Sequence, residues 1–201
     1  MNQNNRLIAL LNSNPAEPEM QTFFEKNTSA LTNHEYLLGN RFIRKFPLGT
    51  DFVTDFAYVN PMSGRCFIWL IEIESPQKNI FTSGDAFTAT FNQALQQVRD
   101  WMSWCARNQA ALRDQLEPLR KESGDSIMSY VARGKLIYGR RNEISNQKRI
   151  ERWESLIADN TMIEIRTYDG IAQHADDSLS NPVQSLDPKC VAYQNRQYAS
   201  I

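Results

Sequence analysis

The sequence predicts an α/β protein, a mixed β-sheet flanked by helices, and three observations carry that prediction. "FIWLIEI" (67–73) is apolar on both alternating faces, as a strand covered on both sides must be, and "GKLIY" (134–138) is a second apolar run bounded by turn signals. "FNQALQQVRDWMSWC" (91–105) instead repeats its large apolar residues at helical spacing. After a hairpin, helices and strands alternate toward the C-terminus, which is the order of a mixed sheet with an antiparallel start.

In chain order, residues 5–12 read as a short helix that stops before Pro15. Glu17-Pro18-Glu19 opens a second helix, its acids suiting the positive end of the helix dipole, with Met20, Phe23 and Phe24 at helical spacing. "NTSALTN" breaks that pattern, and residues 41–49 alternate loosely as an edge strand. Residues 52–59 read as one strand, "NPMSGR" as a turn and 66–73 as the mate, a hairpin with a longer loop. Residues 85–113 form one long amphipathic helix, capped at Ser83-Gly84-Asp85, with a further helix at 114–121. An inner strand at 134–141, a helix at 145–158, a last strand at 161–169 and a short helix at 170–179 complete the series. A single domain over 1–180 and a loosely ordered tail over 181–201, with Pro182 and Pro188, are expected.

Twenty-two basic side chains against 23 acidic ones, with a pI near 6.2, give no global pull toward nucleic acid or membrane. Any anion-binding surface must be a local patch. Cys66, Cys105 and Cys190 are odd in number, widely spaced and without a CxxC pair, which fits a reducing cytoplasm better than a disulfide framework. No basic leader with a long apolar core opens the chain, and no apolar run reaches the roughly 18 residues of a membrane span. A cytoplasmic protein is expected.

The apolar strand ends in Glu72-Ile73-Glu74. Alternation puts Glu72 and Glu74 on the face of Ile68 and Leu70, and Trp69, Ile71 and Ile73 on the other. An unpaired carboxylate at the tip of such a strand is costly to bury. With Asp55 on the hairpin mate near Glu72, three acidic groups converge, and like charges that close either hold protons or bind a cation. Oxygen-only ligands suit Mg2+ or Mn2+, whereas the spacing is wrong for zinc, since His34 and His174 lie far from the cysteines. The competing reading is a pair of solvated or salt-bridged glutamates. Gln93 and Gln97, one helical turn apart on the next helix, are either polar surface or a means of orienting a metal-bound water. Asp51 is expected to point elsewhere or to support the site from outside.

"TDFAYV", a turn, "FIWLIEIESPQKNIF", then "FNQALQQVRDWMSW", "GKLIYGRR" and "IEIRTYDGIAQHA" together resemble the Shedu anti-phage defence family, whose nuclease domain belongs to the PD-(D/E)XK superfamily. "PEMQTFFEKNTSALTN" resembles the family's opening helix, and the likeness spans residues 15–175. It implies a restriction-endonuclease-like core, a metal-dependent DNA endonuclease hydrolysing phosphodiester bonds in anti-phage defence, and a homo-oligomer. Carried over by position, Asp55 and Glu72 match the motif's two metal ligands, with the carbonyl of Ile73 joining them around Mg2+ (or Mn2+). Gln97 with Trp101 resembles the QxxxY element beside the site, and Glu19 the additional acid of some related nucleases. The departure is Glu74, where the motif has lysine. Lysine would orient the attacking water and stabilise charge on phosphate. Glutamate instead binds a second ion or acts as a general base, and Lys78, four residues on, is the candidate for the missing positive charge.

Arg140 and Arg141 at a strand end, with Lys148 and Arg149 on the following helix, form one candidate phosphate-contacting patch, and Arg44 with Lys45 beside the hairpin forms another. Interleaved Glu143, Glu151 and Glu154 support the plainer reading of a solvated helix. Two rival function classes stand beside the enzyme: a catalytically inactive DNA-binding or sensing module on a nuclease fold, and a structural subunit of an oligomeric defence complex.

Overall fold

The computed structural model describes residues 3–32, 35–63, 65–122, 129–173 and 193–194. Helices α1 (Gln3–Asn12), α2 (Glu17–Lys26) and α3 (Ser29–Thr32) precede strands β1 (Arg41–Arg44), β2 (Pro47–Leu48), β3 (Phe52–Val53), β4 (Phe56–Met62) and β5 (Arg65–Ile73). Then come α4 (Ala89–Arg107), α5 (Gln109–Glu122), β6 (Tyr130–Ile137), α6 (Gln147–Asp159), β7 (Ile163–Arg166), α7 (Tyr168–Ala172) and β8 (Tyr193–Gln194). Six strands form one sheet in the order β7-β6-β5-β4-β1-β8, while β2 and β3 pair apart from it. β5 is antiparallel to β4 and parallel to β6, and β6 is parallel to β7, so the expected mixed sheet is present.

Both faces of β5 are buried as its alternation requires. Ile68 and Leu70 join Leu95, Val98 and Trp101 of α4, whereas Ile71 and Ile73 join Met20 and Phe24 of α2 and Tyr168 of α7. A Cβ on Gly134 of β6 would stand 2.4 Å from a methyl of Val98, so the bare backbone there is what lets α4 lie against the sheet.

Several boundaries differ from those read in the sequence. Residues 52–59 are not one strand: Thr54 donates its N–H to the Phe46 carbonyl (2.9 Å), so β3 pairs with β2 and a separate strand starts at Phe56. β4 then continues through Asn60 and Pro61 to Met62, which pairs with Arg65, so the hairpin loop is shorter than "NPMSGR". The long helix starts after Thr88, whose hydroxyl accepts from Phe91 N–H (3.2 Å), not at Ser83-Gly84-Asp85. It ends at Asn108, which caps Trp104 with backbone and side chain, and α5 begins at Gln109 instead of 114. "NTSALTN" contains the short α3, and β6 starts at Tyr130, before the apolar run. β1 is not the edge, because Tyr193 and Gln194 pair outside it; the rest of the 181–201 tail, like His34, His174 and Cys190, lies outside the described residues. Asp51 does point elsewhere, accepting from the Trp104 indole (2.9 Å). Among the described residues no helix is long and apolar enough to cross a membrane.

One charge is sealed inside this fold. Lys135 of β6 is fully buried; its ammonium lies 3.0 Å from Glu164, donates to the Leu31 carbonyl (2.6 Å) and sits 5.1 Å from the Trp69 ring centre. Burial pulls the Lys135 ammonium below its ordinary range. Removing one partner of such a pair strands the other, so Glu164→Gln is expected to cost on the order of 3–5 kcal/mol, read as a fall of about 10 °C in melting temperature.

Candidate active site

The β4–β5 register runs from Met62↔Arg65 to Phe56↔Ile71, and its next step sets Asp55 opposite Glu72. At that step the chain leaves the sheet, because Thr54 turns to Phe46. The amide of Ile73, with no β4 carbonyl to meet, donates instead to Asp55 Oδ2 (3.0 Å). Asp55 Oδ1 accepts from Gln21 of α2 (2.9 Å) and from the Lys45 ammonium (2.5 Å). Lys45 is brought there by a left-handed backbone (φ 52°) and by its own N–H on the Asp55 carbonyl (2.8 Å).

Glu72 is 8% exposed and accepts from Gln97 Nε2 of α4 (3.0 Å). Burial, then the charges of Asp55 and Glu74, push its carboxyl up to about 9, so without a cation it keeps its proton at neutral pH. Glu74 donates its N–H to Ile137 O (3.0 Å), its carbonyl accepts from the Tyr168 hydroxyl, and its carboxylate pairs with the Lys78 ammonium. Glu17, in the first turn of α2, faces this group; burial, then Glu74 and Asp55, raise its carboxyl. Four carboxyl groups thus crowd around two ammonium groups at the carboxyl end of β5.

Asp55, Glu72, Ile73, Glu74, Gln97 and Lys78 are therefore together. Glu19 is not among them: its carboxylate accepts from Ala16 N–H (2.7 Å) and caps α2. Glu17 was missed in its place, and Gln21 with it, since no spacing links α2 to a strand thirty residues on. Trp101 is fully buried under the sheet, so Gln97 reaches the acid cluster without it. The candidate phosphate-contacting residues are engaged within the chain. Arg44 pairs with Glu25 (2.8 Å), Arg140 with Asp169 (3.0 Å), and Arg149 and Lys148 with Asp85 (2.6 and 3.8 Å). Arg141 donates to the Gln173 side chain (2.9 Å).

The fold and the cluster define a mixed α/β protein whose central strand delivers acids to its carboxyl end, where like charges so close favour a shared proton or a counter-cation. The family whose model is described as Shedu protein SduA, C-terminal, matches residues 14–171, and the chain belongs to that family, which points to anti-phage defence. A comparison with curated proteins returns no match.

The donor set can be tested against the divalent cation that the resemblance implies. As the side chains lie, no group of three His, Cys, Asp or Glu among the described residues is placed to hold a metal ion. In donor chemistry, though not in their present placement, Asp55 and Glu72 with the Ile73 carbonyl suit such an ion, since they offer oxygens only and the cluster has more carboxyl than ammonium groups.

The proton on Glu72 has a measurable signature. Its carboxyl is higher in the folded chain than its ordinary 4.5, so the stability it contributes is full below about 4.5 and is lost as the pH rises toward about 9. Glu72→Gln retains a partner for Gln97 and removes the titration. It is expected to flatten this decline and to melt above the native protein at pH 8 in EDTA, followed by circular dichroism; superimposable pH profiles would contradict the assignment.

Proposed function

We propose that the chain is a metal-dependent DNA endonuclease of anti-phage defence with a restriction-endonuclease-like, PD-(D/E)XK core, working in the cytoplasm. The observation that carries this reading is the register step that sets Asp55 opposite Glu72, with Ile73 between them in the same hydrogen-bonded cluster. Asp55, Glu72 and the Ile73 carbonyl would hold Mg2+ (or Mn2+). The ion, when bound, supplies a more acidic water and neutralises charge on the scissile phosphodiester.

The chain's own residues do the rest. Gln97 and Gln21 fix the orientation of Glu72 and Asp55. Glu74, at the motif's lysine position, accepts a proton as general base. Lys78 on Glu74 places a positive charge beside that position, which is the electrostatic part of the missing lysine's work. The reaction is hydrolysis without a covalent enzyme intermediate.

A second reading is a DNA-binding or sensing module that has lost turnover, and one observation favours it: Lys45 and Lys78 already neutralise Asp55 and Glu74. Incubation with linear and circular DNA in Mg2+, Mn2+ or EDTA separates the two. Metal-dependent cleavage is expected, reduced more than about a hundredfold in Glu72→Ala. Cleavage that survives Glu72→Ala, or none under any condition, would refute the enzyme, and an inert native protein activated by Glu74→Lys would establish the module.

A further inference from the structure

Three donors converge on the Asp55 carboxylate, and one of them differs in kind. Oδ2 accepts from the Ile73 amide (3.0 Å), which belongs to a fully buried residue fixed in β5. Oδ1 accepts from Gln21 Nε2 (2.9 Å), a neutral amide, and from the Lys45 ammonium (2.5 Å). Two donors take both lone pairs of Oδ1. Of the three, Lys45 carries a charge, and its side chain is 45% exposed on a four-carbon stem. Its backbone is held separately: Lys45 donates its N–H to the Asp55 carbonyl (2.8 Å), Thr54 donates to the Phe46 carbonyl (2.9 Å), and a left-handed φ of 52° sets the turn. The ammonium can therefore leave the carboxylate while the residue stays beside the site.

A cation entering between Asp55 and Glu72 meets that ammonium first. Whichever oxygen of Asp55 the cation takes, Lys45 as placed stands close beside it, and like charges at such range repel. The Gln21 and Ile73 donors are uncharged, so Lys45 is the one expelled. We propose that Lys45 is the internal counter-cation of this site: a divalent ion takes its place on Asp55, and the displaced ammonium, still tethered by its backbone, becomes the contact for a DNA phosphate. Lys78 has a different duty, because its partner is Glu74, outside the trio of Asp55, Glu72 and the Ile73 carbonyl, and that pair persists when the ion binds. The proposal rests on the nuclease reading for its ion and its phosphate, and adds that one residue answers to both. Ion and DNA then strengthen each other's binding by the same factor.

Calorimetric titration of Mn2+ into the native protein, Lys45→Met, Lys45→Arg, Lys78→Met and Glu72→Ala tests the exchange. Fluorescence anisotropy of a labelled DNA duplex, in Ca2+ and in EDTA over a range of salt, tests the released contact. Without the competing ammonium, Lys45→Met is expected to bind Mn2+ at least about tenfold more tightly, while Lys45→Arg keeps the native affinity. A residue that only braced the turn would weaken Mn2+ binding when changed, or leave it as it was. Ca2+ takes the same oxygen ligands. In the native protein it is expected to raise DNA affinity and to steepen the fall of log affinity with log salt by about one, an increment that Lys45→Met loses. Lys45→Asn, neutral and suited to left-handed backbone, replaces Lys45→Met should the latter lose the native circular dichroism spectrum. Mn2+ binding that Glu72→Ala abolishes but Lys45→Met leaves unchanged or weaker overturns the exchange and leaves the nuclease reading standing. An equal gain in Lys78→Met, which also removes one positive charge, overturns it too. A salt slope indifferent to Ca2+, or steepened equally in Lys45→Met, overturns the phosphate contact. Mn2+ bound by none of these proteins removes the exchange and the metal of the proposed function together.

Discussion

The hydrogen bond from the Ile73 amide to the Asp55 carboxylate is the joint on which the site depends. It stands where a β-ladder bond would otherwise be, and so allows the chain to leave the sheet at Thr54 without orphaning the amide of a fully buried residue. Had β4 continued backward in register, Asp55 would be one more strand residue. With the ladder broken there, its carboxylate turns along the strand tip, and three donors converge on it while Glu72 opposite receives one from Gln97. Burial, then the charges of Asp55 and Glu74 beside it, raise the Glu72 carboxyl so that it holds the proton.

Electrostatics elsewhere in the chain follow the same economy of pairing. In the sequence, the basic clusters beside the hairpin and after β6 look as though they have cations to offer to phosphate. In the fold, Arg140 and Arg149 tie the segments after β6 to Asp169 and Asp85, and Arg149 also covers the Phe81 ring. Asp85 is drawn below its ordinary range by the Arg149 and Asn146 hydrogen bonds, as a side chain holding a loop in place would be. Either candidate patch could therefore meet nucleic acid only with residues already engaged within the chain, or by their rearrangement on contact.

The sheet and the acid pair were legible in the sequence because each rests on short-range patterns. Alternation along β5 fixes which side chains share a face, and a hairpin brings Asp55 beside Glu72 with few alternatives. The helix-borne participants were legible only where spacing carries them, as for Gln97 on α4. Glu17 was hidden because it differs from Glu19 by half a helical turn, and which of the two caps the helix depends on the Ala16 amide, a backbone feature with no signature in residue type. Lys45 was visible as a cation, but its partner was not, since a left-handed lysine has no propensity signal to announce it. The division of 52–62 into two strands was equally silent, as both halves are apolar and extended.

The close seat of α4 on β6 reaches further than packing. Gly134 has an ordinary backbone conformation, so its lack of a side chain acts as a gauge of distance and not as a hinge. The methyl it accommodates belongs to Val98, and the residue before it is Gln97, whose amide spans to Glu72 on the neighbouring strand. A hydrogen bond tolerates only a few tenths of an ångström of extension before it weakens. The reach of the glutamine is therefore calibrated by a missing carbon on a different strand, and a variant that fills that gap would detune the acid pair without touching any residue of the cluster.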